Sequence, residues 1–177
     1  VSADNQANPT RGMDFATIIG AKRNISDDSR MYAYVNPKLG FYNALSKNRK
    51  LVLKTLVQAQ VRIGDDYEFY QAASLGANSG LRGYRFNRFT GESALAGSAD
   101  LRYSFNRFST GLIPIQIGIF GGGDLGRVWL DGEDSEKWHN DFGGGFWLNM
   151  IDTVSGQIGA FSGEDGMRID FRFGVRL

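Results

Sequence analysis

Leu81, Arg82, Gly83 and Tyr84 set an arginine beside a glycine, so the backbone can turn tightly there and carry the guanidinium back toward the rest of the chain. An arginine held away from water in this way needs carboxylates, with which it forms charge-assisted and often bidentate hydrogen bonds. Arg85, Phe86, Asn87, Arg88 and Phe89 follow it, a basic and aromatic run of the kind that stacks on single-stranded nucleic acid. Other constellations are thinner. His139 is the one histidine, two residues before Asp141, and no motif places a serine or threonine beside it for acid–base-assisted attack. It reads as a rim residue. The acidic run at residues 131–136 has spacing reminiscent of calcium ligands but lacks the twelve-residue loop pattern, so it reads as a solvated loop. Gly121, Gly122 and Gly123 are followed by no lysine and no helix start, which argues against a phosphate loop and for close backbone packing. With no cysteine there is neither a thiol nucleophile nor a thiolate metal site, and the chain is expected to be no enzyme and to carry no cofactor.

The elements that must position Arg82 are strands. Residues 167–177 alternate: Met167, Ile169, Phe171, Phe173, Val175 and Leu177 on one parity, Arg168, Asp170, Arg172, Gly174 and Arg176 on the other. Residues 51–63 repeat the pattern, with Leu51, Leu53, Val57, Val61 and Ile63 opposite Lys54, Gln58, Gln60 and Arg62. So do residues 95–105, where Leu101 and Tyr103 oppose Asp100 and Arg102, and residues 113–129, where four isoleucines oppose Gln116, Gly122 and Asp124. Weaker candidates lie at 13–25, 31–43, 67–75, 139–149 and 153–161, with turn chemistry at 24–29, 46–48, 64–66, 131–132 and 163–166. The reading is about nine antiparallel strands in one domain over residues 1–177, with a polar lead-in at 1–10, an inward loop at 76–92 and no helix. By parity, Asp100 and Asp124 are the acids available to Arg82, and this favours a plug over a nucleic-acid patch.

Composition narrows the class. A 42% hydrophobic chain of 177 residues can build a core, yet its mean hydropathy is −0.29 and no apolar run approaches the length of a spanning helix. Twenty basic against nineteen acidic residues leave a net charge of +1, which gives no field to gather nucleic acid. Strand candidates of about 10 residues and more exceed the usual globular length of about 5 to 6, and suit a bilayer instead. Phe41, Tyr42, Phe69, Tyr70, Phe105, Phe108, Trp129, Trp138 and Trp147 collect near strand ends, as aromatic belts do. Lipid outside and a wet lumen inside is the expected arrangement. A soluble ligand-binding barrel or sandwich remains the alternative, because soluble barrels alternate as well. Arg168, Arg172 and Arg176 leave a third reading open, a passive porin-like anion channel.

From Leu81 onward the chain resembles the Omp85 superfamily of outer-membrane barrels, typified by BamA-like and TamA-like assembly factors and two-partner-secretion transporters. The matching pieces stand in family order: Leu81-Arg82-Gly83-Tyr84, then Ala99-Asp100-Leu101-Arg102-Tyr103, then the stretch from Gly118 through Asp124 to Trp129, then Gly143-Gly144-Gly145-Phe146-Trp147 and the closing strand. The resemblance implies that Arg82 sits in the lumen and pairs with Asp100 and Asp124, with Gly83 and Tyr84 completing the lock and Arg102, Arg168, Asp170, Arg172 and Arg176 lining the lumen. It also implies a bacterial outer-membrane location, a role in protein insertion or translocation or as the anchor of an attached enzyme domain, and as partners membrane lipid and unfolded outer-membrane or secreted polypeptide, with no nucleic acid. Residues 8–13 and 67–71 resemble the branch whose barrels are fused to enzyme domains. The chain departs from the pattern in ending on Leu177 rather than an aromatic residue, in lacking polypeptide-transport-associated domains, and in showing about nine strands where family barrels have about sixteen. Beginning at Val1 without a hydrophobic leader, it reads as a processed or excised piece. Nine strands would have to close on missing N-terminal strands, on themselves or on another copy, since open edges in lipid are prohibitively costly.

Overall fold

The computed structural model describes residues 8–23, 31–64, 68–110, 113–130, 137–151 and 154–175. The polar lead-in before Asn8, the whole turn at 24–29, residues 65–66 of the next turn, the acidic run at 131–136, Arg176 and Leu177 lie outside the described residues.

The protein is all-β and antiparallel. Its strands are β1 (Gly12–Arg23), β2 (Met31–Ala44), β3 (Leu51–Ile63), β4 (Ala73–Leu75), β5 (Phe89–Gly91), β6 (Ser93–Ser104), β7 (Phe108–Thr110), β8 (Ile113–Trp129), β9 (His139–Met150), β10 (Val154–Gly163) and β11 (Gly166–Val175). The main sheet runs β1-β2-β3-β6-β8-β9-β10-β11, with β7 added beside β8 and every pairing antiparallel. Neighbours in sequence are neighbours in space because the connections are too short for a crossover. The sheet is open, with β1 at one end and β11 at the other.

Two expectations need correction. The candidate strand at 67–75 is no member of the main sheet: Phe69–Gln71 form a single 3-10 turn, and only Ala73–Leu75 are extended, paired with β5 in a small hairpin. Polar Gln71 and the exposed rings of Phe69 and Tyr70 break the alternation that a long strand needs. Trp147 belongs to no belt of exposed aromatics; it is buried with Phe120 and Phe161 on the inner side of the sheet. Its parity on β9 decides this, since Asp141 and Trp147 share a face.

The register divides the sheet into two unlike faces. On the face that carries the 76–92 loop stand Lys54 and Arg62, Asp100 and Arg102, Asp124, Asp141, and Arg168, Asp170 and Arg172. The other face is apolar along its length and bare. Ile117, Ile119, Leu125, Phe142, Phe146, Ile158, Ile169, Phe171 and Phe173 are all solvent-exposed, with Ile169 at 76%. Charged side chains on that parity occur only near strand ends, at Arg23 and Arg127. In a water-soluble sandwich this would be reversed, since a packed core is where large apolar groups gather.

Candidate functional site

The loop between β3 and β6 folds back across the inner face and is held there from its own backbone outward. Leu81 N–H donates to Gly76 O at 3.0 Å and Tyr84 N–H to Leu81 O at 3.2 Å, so residues 76–84 form a compact knot. Gly80 takes φ of +108°, a left-handed conformation that side chains resist, and this aims Leu81 into the sheet. Leu81 and Tyr84 are fully buried with Ala73, Leu75, Ala94 and Ala96, and Phe89 and Val128 pack against them. The small side chains of β6, at Ala94 and Ala96, leave the room that the loop fills.

Between Leu81 and Tyr84 the chain drives Arg82 into the sheet, where it is 5% exposed. Arg82 Nη2 lies 2.6 Å from Asp100 Oδ1 and 2.7 Å from Asp124 Oδ1, and Arg82 Nε donates to Asp124 Oδ2 at 2.9 Å. Arg82 Nη1 donates to Asp100 Oδ2 at 3.1 Å. Both carboxylates are thus engaged by two guanidinium nitrogens, the fork geometry that lysine cannot supply. The guanidinium also stacks 4.0 Å over the Phe161 ring. Burial works against its charge, but the hydrogen bonds it donates to Asp124 and Asp100 outweigh that and hold Arg82 above its ordinary value.

The backbone on either side of the guanidinium is tied down too. Arg82 N–H donates to Asp124 Oδ2 at 2.9 Å and Gly83 N–H to Asp141 Oδ2 at 2.9 Å. Tyr84 Oη donates to Asn140 O at 2.9 Å and accepts Glu164 N–H at 3.3 Å, which binds the loop to β9 and to the β10–β11 turn. Burial pushes the Tyr84 phenol up. Two glycines make this approach possible: a Cβ on Gly83 would stand 2.7 Å from Asp141 Cβ, and one on Gly163 would stand 2.9 Å from the Tyr84 ring. On β8, a Cβ at Gly122 would run into the Asp100 carboxylate.

Sequence reasoning missed Asp141, which lies directly across from Asp124 in the β8–β9 register. The signal was present in the alternation of Phe142, Phe146 and Leu148, which assigns odd residues of β9 to the charged face.

The rim carries a second set of ties. Arg88 Nε lies 2.6 Å from Asp165 Oδ2 and Lys137 Nζ 2.9 Å from Glu164 Oε2. Hydrogen bonds from Arg88 and Lys137 hold the Asp165 and Glu164 carboxyls below their ordinary range. His139 stacks on Phe89 with ring centroids 3.6 Å apart and meets the Tyr84 ring edge-on. It therefore buttresses the loop, and the basic and aromatic run at 85–89 is spent on intramolecular contacts at Arg88 and Phe89.

The remaining inward residues do not join the clamp. Arg102 lies 4.7 Å above the Trp147 ring, toward the other end of the sheet. Arg172 Nε donates to Asp170 Oδ2 at 3.0 Å, and Arg172 Nη2 reaches Ala77 O at 3.4 Å, so β11 touches the loop directly. Arg168 is half-buried on the same face. Among the described residues no group of histidine and acidic side chains has the geometry to hold a metal ion. The chain matches no protein-family model, and no curated protein matches it.

Proposed function

We propose that this chain is the C-terminal part of an Omp85-type outer-membrane β-barrel, in which the 76–92 loop is clamped inside the lumen by Arg82. The observation that carries the reading is the pairing of a bare apolar face with a buried guanidinium clamp on the opposite face. An apolar face of this extent is costly in water and favourable in hydrocarbon, while the polar face needs enclosed water or partners. The open edges of β1 and β11 then require further strands, supplied by the rest of a longer chain or by another copy.

The function proposed is protein insertion or translocation across the outer membrane, or anchoring of an attached enzyme domain. In both roles the clamp fixes the shape of the lumen and keeps the pore plugged at rest. A passive anion channel is the second reading, favoured by Arg102, Arg168 and Arg172 on the inner face. Planar-bilayer recordings of the protein encoded by the whole reading frame separate them. The insertion or anchor reading predicts a closed pore that becomes leaky with Arg82→Ala. Steady anion conductance in the unaltered protein, abolished by neutralising Arg168 and Arg172, would favour the channel, and a monodisperse protein without detergent would overturn both.

A further inference from the structure

Asn8 Nδ2 donates to Gln116 Oε1 at 3.2 Å, although β2, β3 and β6 stand between β1, which follows Asn8, and β8, which carries Gln116. The residues ahead of β1 therefore run across the inner face, at the end of the sheet where the short turns lie. Pro9 suits this crossing: it is buried, it favours extended backbone at Asn8, and it has no N–H to satisfy. Asn8 is buried as well. At Gly12 the backbone takes φ of +131°, a left-handed conformation open to glycine, and there the chain turns out of the crossing into β1.

The surface under this crossing is polar and covered. Gln116 faces inward on β8 with Asn149 directly opposite it on β9, and Ser104 ends β6 on the same face. Ser104 is 5% exposed and Asn149 2%. Serine and asparagine so close to strand ends are ordinarily wet, and their burial marks an opening with a lid over it. The turns around the opening are tied to one another: Ser104 N–H donates to Lys50 O at 2.8 Å, Phe105 N–H to Ile117 O at 2.9 Å and Ile151 N–H to Pro114 O at 3.1 Å. A cavity of about 440 Å³ is lined jointly by Asn8 and Thr10 of the crossing segment and by Asn48, Lys50, Ser104 and Asn106 of the turns. Such a lining suits water.

We infer that residues 8–12 form a second gate, a strap hinged at Gly12 that narrows the interior at the short-turn end while the Arg82 clamp plugs it nearer the rim. The inference rests on the barrel reading, since only an enclosed interior has two ends to close. Gln116 lies eight residues from Asp124 along β8, roughly 26 Å at about 3.3 Å per residue, so the two constrictions are separate and stand in series. They also differ in kind. The clamp joins a buried guanidinium to two carboxylates, whereas the strap meets β8 through a pair of neutral amides, the weaker class of hydrogen bond. Loss of the clamp alone thus leaves a pore that is leaky yet still restricted by the strap.

The test uses the absence of cysteine from these 177 residues, which makes Asn8→Cys with Gln116→Cys a defined pair for bridging. Both are placed with Arg82→Ala in the protein from the whole reading frame, and leak is recorded in planar bilayers. Before bridging, the pair lacks the amide contact, and the leak should exceed that of Arg82→Ala alone at least threefold. A short bismaleimide with a reducible spacer should join the two thiols, seen as faster migration in denaturing electrophoresis, and should abolish the increase. Reduction of the spacer should restore it. A monofunctional maleimide, which adds bulk without joining the thiols, should leave the leak high. Failure of the thiols to bridge, or a leak indifferent to the bridge, overturns the gate and leaves the clamp untouched. No leak in any variant, Arg82→Ala included, overturns the barrel reading and the gate with it.

Discussion

Asp124 and Asp141 stand directly opposite each other across β8 and β9, and each accepts a backbone N–H from adjacent residues of the loop, Arg82 and Gly83. Like charges placed in register across two strands repel. The loop backbone offsets this by inserting two donors, with the Arg82 guanidinium behind them. The loop is thus held by its backbone and by its side chain at once, on three neighbouring strands.

The clamp has an order of importance. Asp124→Ala removes bonds to Nε, Nη2 and the backbone N–H of Arg82, whereas Asp100→Ala leaves all of these in place. Stripping a buried charge of its main partner costs about 3–5 kcal/mol. Urea unfolding should place Asp124→Ala well below Asp100→Ala in stability, and equal losses would contradict the ranking.

At Asp141 charge and acceptor can be separated. Asp141→Asn keeps an oxygen for Gly83 N–H and removes the repulsion toward Asp124, so its unfolding midpoint should match or exceed that of the unaltered protein. Asp141→Ala should lower the unfolding free energy by about 1–3 kcal/mol, the cost of a buried donor left unmet.

Tyr84→Phe tests the tie to the rim. It keeps the packed ring and deletes the hydroxyl shared by Asn140 O and Glu164 N–H. A loss of about 1 kcal/mol is expected, with faster protease cleavage within 76–92. Gly163→Val should do more damage, because its side chain would occupy the space of the Tyr84 ring.

The rim ties set a pH dependence. Asp165 and Glu164 are lowered in the folded protein by the hydrogen bonds of Arg88 and Lys137, so their contribution is fully present above the ordinary carboxylate value of about 4 and fades as pH falls through their lowered values. Protease resistance of the loop should hold from neutral pH to about 5 and decline below about 4. Loss of protection on mild alkalinisation, with none in acid, would contradict the assignment.

Much of this arrangement was legible in alternation. Period-two patterns at 51–63, 95–105, 113–129 and 167–177 match β3, β6, β8 and, over its described residues, β11, and their parity alone assigns Asp100 and Asp124 to the same face. The segment at 67–75 misled because a short apolar and aromatic run fits a strand as well as a loop turn, and only tertiary packing decides between them. Residue type suggests a belt position for Trp147 where parity gives the inner face, and the glycines of β9 blur the alternation that assigns Asp141. The rim pairs of Arg88 with Asp165 and Lys137 with Glu164 join residues far apart in sequence, where no local pattern can foretell the contact.

The absence of cysteine makes single substitutions clean reporters of what each face meets. With the protein from the whole reading frame in liposomes, cysteines placed at Ile117 and Phe171 on the bare face should react with a membrane-soluble maleimide and resist a charged one, while a cysteine at Gln157 on the inner face should react with the charged reagent. Rapid modification of Ile117→Cys and Phe171→Cys by the charged reagent, with Gln157→Cys protected from it, would contradict a lipid-facing surface around an aqueous interior.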